Sequence, residues 1–507
     1  MKPAAALPDL TDDQRAAALG VLMPGFAGTS VPAWLAAHVR DGLGGVCLFA
    51  MNTPDIVTTR ALCDELSALN PDLCITTDEE GGDVSRLQAA TGSWLPGNEA
   101  LGALDDAAVT RSVGAAIGSL VRAAGVHLTI APVLDVASNK HNPVISVRAF
   151  GATPDLVARH GRAFIDGLHQ AGVGGCAKHF PGHGDTAVDS HVGLPVIDVA
   201  QAVLADRDVA PFAAVADAVD AVMTAHIVVP AHGPHPATLS AWAYDLLRST
   251  GFDGPVITDA LGMAAIAAGD ADHRAGMGEG CVRALEAGAD LLCLDAPQNR
   301  DGEDQFAEAY AAIGAALLSG RLSVERLRAS AGRTRACVRT ITARPGWRAD
   351  APADLGAIRD LGDRVAVAAL AVTGDVLVRN RGWLVDLRRS TNWAAGDLGS
   401  VVLDTLNEAA DAAGTPRFTP ITASHVREVP ADDTVVVVTR QPLVDGHESA
   451  GLESLLALRP DAVVLHTGMA HAAPAARHVV CTHGLGLPNL RAAAAALQNR
   501  GKDGRHD

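Results

Sequence analysis

Aromatic residues supply only 3% of this 507-residue chain, as six Trp, two Tyr and nine Phe. Its cores must therefore be built from Ala, Val and Leu, and a ligand-stacking platform has few side chains to draw on. Cations are also scarce. Forty Lys and Arg against 58 Asp and Glu leave a formal charge of −18. That argues against nucleic acid and anionic membrane as main partners, because both are bound by clustered Lys and Arg. The eight cysteines (Cys47, Cys63, Cys74, Cys176, Cys281, Cys293, Cys337, Cys481) include no CxxC pair and sit mostly inside apolar runs, so they read as small core residues rather than disulfides or metal ligands. No run of about 20 apolar residues is present, which predicts no transmembrane helix. The opening MKPAAALPDLTDDQ has three acids and few apolar residues, which is unlike a signal peptide. The cytoplasm is the expected compartment and a small molecule the expected partner.

The length predicts two domains, and 48% hydrophobic content predicts a folded chain. Short β-like runs alternate with longer helical patterns over the first two thirds: Val21 to Gly28, Gly45 to Ala50, Leu73 to Glu79, Val126 to Val136, Val173 to Phe180, Ala221 to Val229, Pro255 to Leu261 and Ala289 to Leu294. Eight such runs, with amphipathic segments such as Pro54 to Leu69 and Pro154 to Ala171 between them, predict an α/β fold, a (β/α)8 barrel of the TIM type, over residues 1–344. The stretch PGWRADAPADL opens a linker over 345–356. Beyond it, apolar strands at Trp383 to Leu387, Thr434 to Thr439 and Asp461 to His466 predict a smaller layered α/β sandwich domain over 357–500, with residues 501–507 as a frayed tail.

The densest chemistry lies in KHFPGHGDTAVDSH, from Lys178 to His191. The apolar run Val173 to Ala177 before it reads as a buried strand, so Lys178 and His179 emerge at its carboxyl end, where barrels bind ligands. Asp189 and His191 lie two residues apart, close enough for the carboxylate to orient the imidazole and raise its proton affinity. Asp78, His226 and Asp259 also fall near the ends of their strands, and a barrel gathers such positions onto one face. Taken alone, Asp259 after the strand Pro255 to Ile257 reads equally well as a helix cap.

These residues carry a resemblance. KHFPGHGDTAVDSH matches the signature KH(F/I)PGxGxxxxD(S/T)H of the family three glycoside hydrolases, in their bacterial β-N-acetylglucosaminidase branch. TDEEGGDVSR (77 to 86), APVLDV (131 to 136), VISVRAFG (144 to 151) and ITDALGM (257 to 263) follow in that family's order. The resemblance covers roughly the first 340 residues. It implies retaining hydrolysis with Asp259 as nucleophile, His191 as acid/base and Asp189 orienting His191, and with Asp78, Arg86, Arg148, Lys178 and His179 binding the sugar. It implies no cofactor and a small saccharide substrate, such as a cell-wall fragment. A histidine titrates near about 6.5, already close to working pH, which suits it to proton transfer. The pattern departs at Asp83, an anion where relatives commonly carry a cation (EGGRV), a change that bears on the outer, aglycone side of the pocket.

Other readings are set against this one. His183 and Asp185 with His179 and His191 would offer metal ligands, but Lys178 among them repels a cation, and no metal is expected. A phosphorylase stays open, since a neutral histidine would not repel phosphate. In β-glucosidase relatives the acid/base is typically a Glu elsewhere. A non-catalytic sugar sensor would not need Asp259, Asp189 and His191 together. His226, His232 and His235 read as pocket-wall or structural residues. All assigned residues precede Arg344, so the barrel alone is expected to suffice for the chemistry, and the sequence leaves monomer or homodimer open.

Overall fold

The computed structural model describes residues 9–190, 193–267, 276–348, 352–389 and 401–498. Its first domain is a closed barrel of eight parallel strands: β1 (Leu22–Met23), β2 (Gly45–Leu48), β3 (Cys74–Thr77), β4 (Leu128–Thr129), β5 (Gly174–Phe180), β6 (Ala221–Thr224), β7 (Val256–Thr258) and β8 (Leu292–Cys293). Strands β2 to β7 form one sheet in chain order. Leu22 pairs with Leu292 and Ile257 with Leu291, while Cys47 N–H donates to Pro24 O, which joins the two edges. Each of the eight expected strands is present, shortened to the residues that hydrogen-bond.

Small side chains fill the interior. Cys47, Cys74, Cys176 and Cys293 pack there with Met23, Met223, Leu128 and Ile257, and all eight cysteines are unpaired. Around the barrel, helices Ala107–Ala123 and Pro154–Ala171 cross closely because glycines meet backbone at the crossing. A methyl on Gly167 would sit 2.2 Å from Arg111 O, and one on Gly114 would sit 2.5 Å from Phe164 O. Below, helix Val324–Ala343 and the turn Pro345–Arg348 close the floor, with Trp347 against His127 at 5.0 Å between ring centroids. The expected linker therefore begins as a packed plug.

The second domain is a six-stranded sheet ordered β9-β14-β13-β12-β10-β11, from β9 (Ala371–Thr373), β10 (Gly382–Asp386), β11 (Thr419–Pro420), β12 (Thr434–Thr439), β13 (Val463–His466) and β14 (His478–Cys481). All neighbours are parallel except β9 with β14. The valine runs of β12 and β13 are buried on both faces, as a parallel sheet requires. Helix Leu355–Ala369, counted from sequence with this domain, buries Ile358 and Val365 in the barrel's own core. Arg359 lies over the Trp94 ring at 4.1 Å, so this helix fastens the two domains. Among the described residues no helix is long and apolar enough to cross a membrane.

Candidate active site

The site begins with a tight hairpin directly after β3, formed by Glu79–Gly81 and Val84–Ser85. Its turn needs glycine. Gly81 and Gly82 have φ of +83° and +57°, and a methyl on Gly82 would sit 2.5 Å from Gly97 Cα. Alternation along the strand puts Asp78 and Glu80 on one face. Lys178 Nζ lies 2.8 Å from Asp78 Oδ1 and 2.7 Å from Glu80 Oε1. Arg148 grips Glu80 with both ends of its fork, Nε to Oε2 at 3.0 Å and Nη2 to Oε1 at 2.8 Å. Arg86 Nη2 reaches Asp78 Oδ2 at 3.5 Å.

Neighbouring positions in an unbroken strand point to opposite faces, yet Lys178 and His179 both join this network. The reason is a bulge in β5. Ala177 pairs with Val222 and Phe180 with Thr224, so Lys178 and His179 together oppose Met223 alone. His179 Nδ1 bonds Asp135 Oδ2 at 2.6 Å, and its Nε2 faces Arg148 Nη2 at 3.5 Å. The other Asp135 oxygen accepts from the backbone N–H of His179 (3.2 Å) and His183 (2.6 Å).

Three cations, Lys178, Arg148 and Arg86, thus face three carboxylates, Asp78, Glu80 and Asp135. Burial opposes the charge on Glu80, but Arg148 and Lys178 outweigh it and hold the carboxyl down at about 2. Burial likewise opposes the Asp78 charge, and Lys178 and Arg86 bring its carboxyl below the usual range. Lys178 is held above its ordinary value because Asp78 and Glu80 overcome its burial. All three groups are ionised at neutral pH, and together they present charged donors and acceptors to a polar ligand.

Arg148 belongs to a one-turn 3-10 segment, Ser146–Arg148, reached by a loop that Asn142 organises. Asn142 Oδ1 accepts from Val144 N–H at 2.9 Å and Ile145 N–H at 2.8 Å, and its Nδ2 donates to His183 O at 2.8 Å. His183 is buried, with Nδ1 2.8 Å from Thr186 Oγ1 and Nε2 3.3 Å from Ser190 Oγ. Burial holds its imidazole down at about 4, against the pull of Asp135 and Asp259, so it is neutral at working pH. His183 is therefore a brace for the loop bearing half-buried Asp189. That loop is also tied by Gly193 N–H to Asp189 O (3.0 Å) and by Ala265 N–H to Ser190 O (3.3 Å). His191 lies outside the described residues.

Asp259 follows β7, its Oδ1 accepting from Ala260 N–H at 2.8 Å. Its field reaches His183. It also reaches Cys293 on β8, whose thiol is pushed up by Cys47, by burial and by both Asp259 and Asp78. Asp78 directly follows β3 and Asp259 directly follows β7, and the barrel strands run parallel, so both carboxylates stand at the same end of the barrel. His226 lies behind them as an expected wall residue, its Nε2 2.9 Å from Ala260 O and its Nδ1 2.9 Å from Thr238 Oγ1. His232 stacks on Trp242 at 4.2 Å.

Two members of this network, Glu80 and Asp135, are not among the site residues expected from sequence. Both stand in segments that had been singled out, TDEEGGDVSR and APVLDV. The available signal for Glu80 was its spacing of two from Asp78 on a strand. Asp83 needs a correction: it does not line the outer pocket but is buried between the domains, with Oδ2 2.5 Å from Arg440 Nη1 and Oδ1 accepting from Leu485 N–H at 2.6 Å. Its anionic charge is explained by that cationic partner, supplied by a domain whose docking the barrel motifs do not encode. Among the described residues no group of three or more His, Cys, Asp or Glu side chains is disposed to hold a metal ion.

Comparison with known proteins agrees with this geometry. The sequence model of the glycosyl hydrolase family 3 N terminal domain matches residues 30–336. A beta-hexosaminidase of Alkalilimnicola ehrlichii is 38% identical over 290 residues, covering 54% of this chain and 80% of the relative. A Pseudomonas aeruginosa beta-hexosaminidase is 37% identical over 287 residues, covering 54% and 83%. The solved structure of a family 3 beta-N-acetylglucosaminidase from Paenibacillus sp. str. FPU-7 superposes on both domains with a TM-score of 0.83, at 33% identity and 96% coverage of each chain.

Proposed function

Because this chain belongs to glycosyl hydrolase family 3 and is a glycoside hydrolase, we propose that it is a retaining exo-β-N-acetylglucosaminidase. On this reading it removes terminal β-linked GlcNAc from small saccharides, with cell-wall muropeptide fragments as the substrate class. The observation that carries the reading is the convergence, at the carboxyl ends of the barrel strands, of Asp259, the loop bearing Asp189 and the charged network of Asp78, Glu80, Arg148 and Lys178. Relatives named beta-hexosaminidases, and a beta-N-acetylglucosaminidase similar over both domains, support the choice of sugar.

In the first step a carboxylate oxygen of Asp259 bonds to the anomeric carbon as the glycosidic C–O bond breaks. Protonated His191 gives its proton to the departing oxygen. In the second, neutral His191 takes a proton from water as the water oxygen bonds to the anomeric carbon and Asp259 is released. Asp189 holds the imidazole and stabilises its cation. Asp78, Arg86, Arg148, Lys178 and His179 hold the sugar.

Aryl glycosides differing only at the 2-position test the sugar: the 2-acetamido substrate is expected to be cleaved and the 2-hydroxy one far more slowly. Sugar 1-phosphate appearing on phosphate titration would instead identify a phosphorylase. The two catalytic assignments separate on a nitrophenyl substrate, whose leaving group scarcely needs a proton. His191→Ala is expected to show a burst, a mass adduct on the peptide carrying Asp259 and rescue by azide, whereas Asp259→Asn shows none of these. Equal loss on activated and unactivated substrates by His191→Ala, with no adduct, would remove His191 from the acid/base role.

A further inference from the structure

The barrel carries every catalytic group named above, yet the wall that binds the sugar is backed by the second domain. Strands β12, β13 and β14 end toward the barrel, and the segment following each meets the hairpin, the Arg148 loop or a helix beside them. After β12, Arg440 Nη1 lies 2.5 Å from Asp83 Oδ2, with both side chains buried. Gln441 Nε2 donates to Pro143 O at 3.0 Å, at the start of the loop that delivers Arg148. After β13, Ala470 N–H donates to Glu99 Oε1 at 2.7 Å, while Met469 and Ala472 pack on Val144, Ile145 and Val147. After β14, Leu485 N–H donates to Asp83 Oδ1 at 2.6 Å.

Asp83 is at the tip of the hairpin that holds Glu80 and directly follows Asp78. It is joined to the barrel side by Gly82 N–H, which donates to Leu95 O at 2.9 Å. Contact there is tight. A methyl on Gly484 would sit 3.0 Å from Asp83 Oδ1, and one on Gly486 would sit 3.3 Å from Gly82 Cα. Arg440 is itself fixed from behind, since Glu448 Oε2 accepts from the N–H of Arg440 (2.7 Å) and of Gln441 (3.0 Å). Buried polar contacts therefore link Glu448 to the backbone of Arg440 and the Arg440 side chain to Asp83, and the hairpin backbone carries that anchor on to Glu80 and Asp78.

The geometry points to Arg440 as a positioning residue: a cross-domain strut that sets the hairpin bearing Asp78 and Glu80, so that the second domain tunes sugar binding without touching the reacting atoms. The strut rests on the reading of this pocket as the sugar site. It acts on the placement of groups that hold the sugar in ground and transition states alike, so its loss raises KM and spares kcat.

The test uses the full chain. Cleavage of the aryl GlcNAc substrate by wild type comes first and judges the reading itself. The ratio of variant to wild-type KM, on whichever aryl glycoside the wild type cleaves, judges the strut alone. Arg440→Met is expected to raise KM about tenfold or more with kcat within about threefold, and Arg440→Lys, which keeps the charge, to recover most of that loss. Val436→Ala hollows the core of the second domain away from the hairpin and is expected to leave KM at the wild-type value. Should Arg440→Met not fold, Asp83→Asn, which keeps an acceptor for Leu485 N–H, carries the same comparison. A wild-type KM in the folded strut variants, or an equal rise in Val436→Ala, overturns the proposal.

Discussion

Glu80 shows how much of the site rests on one carboxylate. Lys178 and Arg148 both lean on it, and replacing it leaves a buried excess of positive charge. Glu80→Gln is expected to cost about 3 kcal/mol of stability, the usual loss for breaking a buried pair, and to raise KM, as urea unfolding and steady-state kinetics would show. The cysteines behave oppositely. Burial pushes the thiols of Cys63, Cys74 and Cys481 up to about 12, so none is a nucleophile at neutral pH. Alkylating reagents at pH 8 are expected to spare the activity of the native protein and to label it fully only in denaturant. Residue types in this site were legible because charged side chains stood at strand ends within a motif. Charge alone does not distinguish a pocket carboxylate from a solvated one, so Asp135 carries no local mark, and the only one on Glu80 is its spacing of two from Asp78.

At the level of elements, the hairpin and the β5 bulge do the positioning. Gly82→Ala forces a side chain into the left-handed region, at about 1–2 kcal/mol, and drives a methyl to 2.5 Å from Gly97 Cα. The hairpin must then shift, so KM is expected to rise along with the loss of melting temperature. Gly320→Ala is the matched control, because φ there is +78° and nothing lies within 4 Å of the added carbon. It is expected to lower stability similarly and leave KM alone. The eight strands were readable as apolar runs, but the bulge was not: it arises from pairing between β5 and β6, and a single strand carries no mark of its partner's register.

For the whole molecule, pH dependence follows from buried groups spread over both domains. Burial holds His127, His183 and His466 down at about 4. Their neutral forms favour the fold above the unfolded value near about 6.5, and that contribution is lost as pH falls toward 4. Burial raises Glu79 to about 7 and Asp208 to about 6. These two act with the opposite sign, because the folded protein then binds protons that the unfolded chain does not. Among these five groups the histidines outnumber the acids by one, so their combined contribution to stability is expected to fall by up to about 1.4 kcal/mol per pH unit between pH 6 and 4.5. Melting curves across that range measure the slope. His127 lies on the barrel floor, its Nδ1 accepting from Ile75 N–H, and His127→Gln is expected to flatten the slope with KM unchanged.

By itself the sequence determined the alternation of eight strands with helices, the family, and the strand-end residues that meet in the pocket. Each of these is written in local order as periodicity, turn residues or a contiguous motif. Only the tertiary structure decided why both Lys178 and His179 join one charged network, that Glu80 and Asp135 complete its charge balance, and that helix Leu355–Ala369 belongs as much to the barrel core as to the second domain. The same is true of Asp83, whose partners Arg440 and Leu485 stand more than 350 residues away along the chain. A contact of that separation depends on how two finished domains dock, and burial at such an interface leaves no periodic trace in either segment.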